Sequence, residues 1–447
     1  MKILLVKCHK KTIYSYLQPI ITEPLELEYI STLLNEKHIN HMILDRLLDG
    51  DNFRDACERY NPDVLMLSGY ITAVGTILSY SDYAKGLNPK VKIIVGGSHA
   101  EINFEDFFSP NIDIVVHQSG LSVIEEILNC FQDDKIDYTS LKTVKGIAYQ
   151  FNQIWNVNDK SVLDSYDMPI PDRSYFNRHK SKTRYMFYPE IAILKTSISC
   201  PYQCEFCYCR KINQGIYLTR KMSDIIKEIK YIPVEYIWIV DDTFLIDRFR
   251  AMAFIESIKT YGINKKFIAY SRVDFIAENP DIIKELRDIG LIELIVGIED
   301  ISNKKLESYH KGTTENANEK TIQVLGDNNI RLTALFIAGI DFRKADFNNM
   351  KKWIRSKKID SYTVSIFTPM KGTDIYNLYK DDIKTRELSR FDFLHLVMEP
   401  IHMSRLRFYL NFYSLYADQV FRSRYIRRFI LRSWFGWLNN FDDERKI

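Results

Sequence analysis

The sequence predicts an α/β protein in which a Rossmann-like sheet of five parallel strands is followed by a partial (β/α)6 barrel and a helical C-terminal segment. Two observations predict this order. Short β-branched runs alternate with helical stretches in two separate series, and a proline-marked stretch divides the series. The chain has 447 residues, enough for about two or three domains with their own cores. The expected boundaries are residues 1–140 for the first sheet, 141–189 for a linker with a small hairpin, 190–378 for the barrel and 379–447 for a helical cap.

The composition excludes several classes of protein. With 46% hydrophobic and 27% charged residues, the chain is neither disordered nor fibrous. A net charge of +3 is too small to predict a nucleic-acid partner. No apolar stretch approaches the ~20 residues that a membrane-spanning helix requires, and the N-terminal MKILLVKCHKK has no cleavage site after it. We therefore expect a soluble, cytoplasmic and monomeric protein.

The first series predicts a parallel sheet with polar groups and glycines along one edge. Ligands bind at the carboxyl ends of strands in open sheets, and glycine lets a backbone approach a ligand closely. The candidate binding groups are therefore Ser68-Gly69, Gly96 to Ala100 and Gln118-Ser119-Gly120. The predicted strands are residues 2–7, 41–45, 63–69, 92–97 and 113–120, with helices at 25–35 and 121–131.

The second series predicts the barrel. Before it, GIAYQFNQIWNV has the pattern of a hairpin and MPIPDRSYF that of a linker. Six strand–helix units are too few for a complete eight-unit barrel and enough for a partial one. The chain after about residue 380 is predicted to be helical. The barrel strands are predicted at residues 192–199, 236–242, 267–274, 291–300, 331–341 and 362–369.

Four of the seven cysteines lie within the stretch SCPYQCEFCYCR. Cys200, Cys204 and Cys207 are spaced C-x3-C-x2-C directly after a predicted strand. Three thiolates on a short loop suit an iron–sulfur cube whose fourth iron has no protein ligand. A zinc site would usually show a second cysteine pair, which the sequence lacks. Cys209 is then a packed cysteine beside the loop, since a fourth protein ligand would close the open iron.

This spacing, with Phe206 before the third cysteine, resembles the signature of the radical S-adenosylmethionine (SAM) superfamily. The resemblance implies that Cys200, Cys204 and Cys207 ligate a [4Fe–4S] cluster and that SAM chelates the fourth iron. One-electron reduction, from a donor such as flavodoxin or ferredoxin, would then cleave SAM to methionine and a 5′-deoxyadenosyl radical.

The resemblance continues at the ends of the later strands. It implies a SAM pocket formed by strand-end residues, although a strand-end acid is as often a helix N-cap. Where the family often has Pro-Gly-Thr after the last strand, this chain has Pro369-Met370-Lys371-Gly372-Thr373. The candidate SAM-binding residues are Asp241, Asp242, Ser271, Arg272, Glu299 and Gly339.

The first domain resembles the N-terminal cobalamin-binding domain of one branch of this superfamily. The similarity includes Pro24 to Tyr29, Val95 to Ala100 and Met168 to Pro171. The family's Gly-Glu-Gly-Glu near the fifth strand is replaced by His117-Gln118-Ser119-Gly120, and an empty Rossmann-like scaffold is the alternative. The residues that would hold the corrin and its nucleotide tail are Ser68, Gly69, Tyr70, Thr72, Gly96, Gly97, Ser98, His99, Gln118 and Gly120.

The loop after the first strand bears on the cobalt ligand. Cobalamin domains that bind cobalt through histidine use Asp-x-His-x-x-Gly at this point, whereas here the chain reads Lys7-Cys8-His9-Lys10-Lys11. His9 therefore lacks the motif's acidic partner and glycine. The resemblance implies cobalamin with no protein histidine on cobalt, which favours a methyl acceptor.

The C-terminal segment from Ser404 to Trp437 interleaves aromatic residues with arginines and contains a single acid, Asp418. A basic amphipathic helix of this kind can lie on an anionic membrane surface. The favoured alternative is a closing helical layer that packs its aromatic residues over the open end of the barrel.

The family resemblance implies radical methylation of an unactivated carbon, with one SAM as methyl donor through cobalamin and a second as the radical source. Oxidation, cyclisation or rearrangement without methyl transfer is the alternative within enzymes. A non-catalytic cobalamin-binding protein is the alternative outside them. The substrate could be a small molecule, a lipid or a peptide, because specificity is not readable from these motifs.

Overall fold

A computed structural model of the chain describes residues 1–10, 19–50, 52–132, 135–424 and 426–427. Its first sheet contains the five predicted parallel strands, and these strands are buried because helices cover both faces. The predicted hairpin pairs antiparallel with the fifth strand, so the sheet has seven strands. In spatial order the strands are Asn40–Asp45, Lys2–Lys7, Val64–Ser68, Lys92–Gly96, Ile114–Val116, Ile147–Phe151 and Ile154–Val157.

The hairpin corrects the predicted limits of the first domain. The sheet continues past residue 140 to Val157, because the hairpin satisfies the exposed backbone groups of the short strand Ile114–Val116. That fifth strand covers only part of the predicted range 113–120. The helices of this half of the chain are Leu25–Glu36, Arg46–Asp49, Phe53–Tyr60, Val74–Leu87, Ser98–Ile102, Ser122–Asn129, Tyr138–Leu141 and Ser174–His179.

The second sheet is the predicted partial barrel, with six parallel strands in chain order. Its strands end one to five residues before the predicted ends, where the polar residues begin. The strands are Ile191–Leu194, Tyr236–Ile239, Lys266–Ser271, Leu291–Glu299, Arg331–Ala338 and Ser361–Ile366. The helices are Met222–Tyr231, Arg248–Thr260, Val273–Glu278, Pro280–Asp288, Asn303–Ser308, Glu315–Asp327, Lys344–Ser356 and Asp374–Tyr379.

The C-terminal segment is less helical than predicted. Residues 380–404 are irregular apart from the short turn Leu388–Arg390, and one long helix follows, Arg405–Arg422. Phe408, Phe412 and Leu415 of this helix are buried in the barrel core. The helix therefore packs against the last barrel strand and against the helix Lys344–Ser356 that precedes it, so its aromatic residues form a packed layer on the barrel. Residues 428–447 of the predicted cap lie outside the described residues.

No helix among the described ranges has the length and apolar character needed to cross a bilayer. The two sheets are instead joined by a buried ionic cluster. The Arg173 guanidinium, from the linker, donates to Glu23 of the first half and to Glu228 of the barrel, both at 2.7 Å. Arg220 donates to the other oxygen of Glu228 at 2.5 Å. This cluster is called the ionic junction and also includes Glu28, 3.8 Å from Arg173.

Candidate active site

A cavity of about 290 Å³ lies at the carboxyl ends of the barrel strands. Aromatic and aliphatic side chains form most of its wall, and the polar groups come from strand ends and from the cysteine loop. The three predicted cluster cysteines line it, so the sequence spacing and the tertiary position agree. The predicted strand-end residues that line it are Asp242, Ser271, Arg272 and Glu299.

Burial controls the chemistry of the three thiols. Cys204 is buried, and Cys200 and Cys207 are partly exposed to the cavity. Burial raises the pKa of Cys200 to about 11, so this thiol needs an added positive charge to ionise. Within the described residues no three His, Cys, Asp or Glu side chains form a site for a single metal ion. A cube of four irons is larger than one ion and spreads its ligands farther apart.

Cys209 contacts the predicted ligand set without joining the cavity lining. A hydrogen bond from Cys209 lowers the pKa of Cys207, and the same hydrogen bond together with burial raises the pKa of Cys209. The two thiols therefore interact directly. The extra cysteine thus has a contact that the packed-cysteine interpretation did not foresee.

Arg272 is held against the cysteine loop from three sides. Its guanidinium stacks 3.7 Å from the Tyr202 ring, and one nitrogen lies 3.6 Å from the Cys204 sulfur. Asp274 accepts from the same guanidinium at 2.9 Å. Arg272 therefore places a fixed positive charge next to the Cys204 sulfur.

A bulge in the fourth barrel strand turns Glu299 into the cavity. The pairing register shifts between Gly297 and Glu299, and Glu299 has a left-handed φ of 62°. The Lys311 ammonium lies 2.7 Å from the Glu299 carboxylate. Both side chains pack over Gly297, where any larger residue would overlap them. Backbone strain of this kind is common at functional sites.

Lys311 is the main cavity residue that the sequence analysis missed. It follows the short helix Asn303–Ser308 and not a strand, so a search of strand ends passes over it. Burial opposes its charge, but the Glu299 carboxylate raises the pKa of Lys311 above its usual value. The remaining signal in the sequence is the turn His310-Lys311-Gly312, in which Gly312 has a φ of 67°.

Two predicted SAM residues lie elsewhere. The Asp241 carboxylate accepts from the backbone N–H of Thr196 at 2.6 Å and of Ser197 at 3.1 Å, and also from the Thr196 hydroxyl. Asp241 thus tethers the start of the cysteine loop and does not line the cavity. Gly339 is also outside the lining, since it sits under the Asp341 carboxylate at a turn. Both residues therefore lie outside the lining of this cavity, and their contact with SAM stays a prediction.

The first-domain loops meet at the carboxyl edge of their sheet, as predicted. Gly97 has a φ of 107°, and a side chain there would lie 3.1 Å from both the Gly69 carbonyl and the Ser68 hydroxyl. A side chain at Gly69 would meet Ala73 at 2.9 Å. These glycines therefore let the loops pack against each other, whereas the prediction had them approach a ligand. Gly96 has only Val116 nearby, at 3.8 Å, and Ser98 begins the following helix.

The loop after the third strand faces the barrel cavity. Tyr70 is 54% exposed and stacks beneath the Lys7 ammonium at 4.9 Å. Burial raises the pKa of Tyr270, a cavity residue, and the nearby Tyr70 adds to this shift. Ile71 belongs to a buried cluster that also contains Phe367 and has Phe206 packed against it, and both phenylalanines line the cavity. Thr72, the residue after Ile71, is half-buried.

Other predicted corrin residues are already engaged within the protein. The Gln118 side chain accepts from the Ser161 backbone at 2.8 Å and from its hydroxyl at 2.9 Å. Gly120, with a φ of 103°, lies under Leu163. His99 is buried and its Nε2 lies 2.9 Å from Asp106. These contacts cover the loop with the linker, so a direct corrin contact by Gln118 is not supported.

His9 has an acidic partner after all. Its Nε2 lies 2.9 Å from an oxygen of Asp45, at the end of the neighbouring strand. The sequence analysis found no such partner because Asp45 is 36 residues away. Hydrogen bonding to a carboxylate orients an imidazole, so Asp45 orients the His9 ring through Nε2, and Nδ1 takes no part in this contact.

Two family models match the chain. Residues 19–128 match the B12 binding domain, and residues 194–354 match the radical SAM superfamily. The chain is a radical SAM protein with an N-terminal B12-binding domain. The predicted family, domain order and cofactor classes are thereby confirmed at the level of the family.

Curated relatives match most of this chain at low identity. An uncharacterized methyltransferase of Pyrococcus horikoshii is 24% identical over 434 residues and covers 92% of each chain. An anaerobic magnesium-protoporphyrin IX monomethyl ester cyclase of Rubrivivax gelatinosus is 23% identical over 370 residues, which is 80% of this chain and 66% of that one. The relatives include both methyltransferases and cyclases, so similarity alone does not select the reaction.

Two solved structures share the fold. OxsB, a cobalamin-dependent radical SAM enzyme with aqua-cobalamin and SAM bound, has a TM-score of 0.65 at 18% identity. The match covers 87% of this chain and 56% of OxsB, so this chain spans little more than half of OxsB. TsrM from Kitasatospora setae, a methyltransferase with cobalamin and a [4Fe–4S] cluster bound, has a TM-score of 0.64 at 14% identity, covering 82% and 72%. The predicted α/β fold is confirmed.

The residues present fit these cofactors. Three thiols beside the buried cations Arg272 and Lys311 form a donor set suited to an anionic iron–sulfur cluster. The buried Thr243 hydroxyl lines the cavity and has no hydrogen-bond partner in the described part of the chain, as expected for a group that a ligand satisfies. In the first domain the buried Nε2 of His117 also lacks a partner there.

Proposed function

We propose that this protein is a cobalamin-dependent radical SAM enzyme that methylates an unactivated carbon. The observation that supports it best is the hydrophobic cluster that contains both Ile71, from the first-domain loop, and Phe367 of the barrel cavity, with Phe206 packed against it. This shared cluster brings the proposed corrin loops next to the proposed SAM cavity. When bound, SAM and the cluster supply hydrogen-atom abstraction and cobalamin supplies a methyl group.

The chain's own residues position and shield these groups. Cys200, Cys204 and Cys207 are the proposed cluster ligands, and Arg272 with Lys311 offset their negative charge. Glu299, Thr243 and Asp242 are proposed to orient SAM through its amine and hydroxyl groups. The aromatic wall excludes water from the reacting atoms.

Cysteine variants test the cluster assignment. We expect Cys204→Ala to lose most of its iron and its absorbance near 420 nm after anaerobic reconstitution, because a three-thiolate site cannot spare a ligand. Cys209→Ala is the matched control and should keep about four irons, because Cys209 contacts Cys207 only through a hydrogen bond. Loss of iron in Cys209→Ala would mean that the fourth position is closed by protein.

Product analysis separates the methyl transfer from its alternatives. Reconstituted protein with hydroxocobalamin, SAM and a strong reductant should release both 5′-deoxyadenosine and S-adenosylhomocysteine. 5′-Deoxyadenosine alone, with bound corrin, would favour oxidation, cyclisation or rearrangement, which the similarity to a cyclase also allows. Failure to bind corrin would contradict the proposal.

The cobalt is proposed to carry no protein histidine. His9 is oriented by Asp45 and is 27% exposed, so it is the residue to test. Electron paramagnetic resonance of the cob(II)alamin form should show no nitrogen superhyperfine splitting in the native protein or in His9→Ala. Splitting that disappears in His9→Ala would reverse this proposal.

The substrate is proposed to be a small molecule or a lipid, the electron donor a flavodoxin or ferredoxin, and the working form a monomer. The helix Arg405–Arg422 supports the proposal that the protein acts at a lipid surface. Its outer face exposes Leu406, Leu410 and Phe421 by 63–78%. Its only acid, Asp418, faces inward and pairs with Arg355 and Arg422. An apolar stripe without exposed acids matches an anionic lipid surface.

Vesicle flotation tests the lipid surface with the full chain. Native protein should float with vesicles containing phosphatidylserine and less with neutral ones. Leu410→Ser with Phe421→Ser should reduce flotation, whereas Leu378→Ser, an equally exposed leucine elsewhere, should not. Equal flotation of all forms, or a concentration-dependent dimer that the double variant abolishes, would contradict the membrane proposal.

A further inference from the structure

One segment of the first domain contacts two loops of the barrel. It runs from Ser98 to Phe107, directly after Gly97, and is called the bridging segment. Its helix Ser98–Ile102 faces the loop that follows the cluster cysteines, and its second turn faces the loop that follows the last barrel strand.

Glu101 makes the first contact. One oxygen of its carboxylate accepts from the backbone N–H of Asn213 at 2.7 Å, and the other accepts from the Ser119 hydroxyl at 2.5 Å. Asn213 lies four residues after Cys209 and, like Gln214, has a left-handed backbone, with φ values of 49° and 53°. Such residues persist where neighbouring groups hold them, and Glu101 supplies one such contact beside the Leu163 N–H, which donates to the Asn213 side chain at 2.8 Å.

The loop after the last strand makes the second contact. Asn103 donates to the Lys371 carbonyl at 3.0 Å, and the Lys371 ammonium pairs with Asp106. Gly372 has a φ of 90°, and a side chain there would overlap Ile102. Met370 and Lys371 are the residues by which this chain departs from the family's Pro-Gly-Thr turn, so the departure itself makes the contact.

The two barrel loops also contact each other. Lys211, two residues after Cys209, donates to Asp374 at 2.7 Å, and Arg210 pairs with the same carboxylate. The bridging segment, the cluster loop and the last-strand loop are therefore joined in pairs by hydrogen bonds and ion pairs. Each of the three segments is held by both of the others.

We infer that the bridging segment sets the spacing between the corrin loops and the cluster loop, with Glu101 as its positioning residue. This inference rests on the proposed function for its cofactors, but the hold on the cluster loop exists in the protein alone. Without the Glu101 carboxylate, the Asn213 N–H loses its acceptor, and only the side-chain contacts of Asn213 with Leu163 and Ile216 remain. The cluster loop can then relax while its cysteines remain present.

Hydrogen exchange of the full-length protein before reconstitution tests the hold. In Glu101→Ala, amides of residues 209–216 should exchange about tenfold faster, because a hydrogen bond to a charged group is lost. Glu101→Gln keeps an oxygen for the Asn213 N–H and should restore most of the protection. Glu105→Ala, an exposed acid in the same segment, is the matched control and should behave as native protein. Unchanged exchange in Glu101→Ala would overturn the inference.

A spectroscopic measurement tests the spacing. After reconstitution, native protein and Glu101→Ala should contain equal iron and cobalt, while the spin–spin interaction between reduced cluster and cob(II)alamin should change in the variant and return in Glu101→Gln. An unchanged interaction despite faster exchange would reduce Glu101 to a structural role and overturn the inference. If native protein binds no corrin, the proposed function fails, and the exchange result still decides whether Glu101 holds the cluster loop.

Discussion

The two junctions between the first domain and the barrel are built in opposite ways. In the ionic junction, the side chains of Glu23, Glu28 and Glu228 are fully buried around Arg173. At the bridging segment, Lys371 is 29% exposed and its partner Asp106 is 14% exposed. A buried charge that loses its partner is far more costly than a partly hydrated one. The comparison indicates that the ionic junction holds the domains together and the bridging segment adjusts their spacing.

The pH dependences of the two junctions also differ. Burial raises the pKa of Glu23, and burial with the neighbouring Glu23 charge raises that of Glu28 well above 4.5. Burial alone would raise the pKa of Asp106 as well, but hydrogen bonds from His99 and Lys371 lower it below 3.8. A raised carboxyl pKa makes the folded state lose stability as the pH rises above 4.5, and a lowered one makes it lose stability as the pH falls below 3.8.

The largest expected effect is at Arg173. Arg173→Met leaves buried carboxylates without their shared cation and should lower the free energy of unfolding by about 3–5 kcal/mol. Urea unfolding, or the soluble fraction if the variant does not fold, measures this loss. Arg178→Met, at an exposed arginine in the helix Ser174–His179 that begins directly after Arg173, should stay within about 0.5 kcal/mol of native protein. Similar values for both variants would refute the importance of the ionic junction.

A smaller loss is expected at Gly372. Gly372→Ala places a side chain against Ile102 at a left-handed position and should cost about 1–3 kcal/mol in thermal or urea unfolding. Gly326→Ala is the control, because it lies in a helix with open space around it and should stabilise the protein by about 0.5–1 kcal/mol. If both substitutions raised the free energy of unfolding, or both lowered it, the close approach of Gly372 to the bridging segment would be contradicted.

Glu28→Gln should change the pH dependence more than the stability itself. Glutamine mimics the protonated acid and keeps the oxygen that accepts from the Phe176 N–H at 2.9 Å. We expect the variant to be as stable as native protein at pH 5 and more stable at pH 8 by up to about 1 kcal/mol, because the raised pKa of Glu28 costs the native protein stability as the pH rises. Unfolding at both pH values decides it. A lower stability at pH 8 would show that Glu28 is ionised in the folded state.

The smallest effect is expected at Lys371. Lys371→Met removes a partly exposed ion pair with Asp106 and should cost only about 0.5 kcal/mol, with less difference at high salt. Exposed Lys380→Met serves as the control. A loss comparable to that of Arg173→Met would mean that both junctions carry the stability equally.

Sequence reasoning found the cysteine triplet and most strand ends because both are local patterns. Cys200, Cys204 and Cys207 lie within eight residues, and Arg272 follows and Glu299 ends a strand whose apolar run is visible. The sequence did not reveal that Asp241 tethers a loop, because a strand-end acid that tethers a loop looks the same as one that faces a cavity. The sequence predicted the hairpin of residues 147–157 but did not place it in the first sheet, because no local pattern indicates which sheet edge a hairpin joins.

The sequence by itself determined the two series of strands, the cluster spacing and the order of the domains, since these depend on side-chain periodicity and short separations along the chain. Only the tertiary structure decided that Lys311 meets Glu299, that Asp45 meets His9 and that Glu101 meets Asn213. These partners lie 12, 36 and 112 residues apart. Contacts over such separations depend on how whole sheets pack, and neither partner carries a local signal of the other.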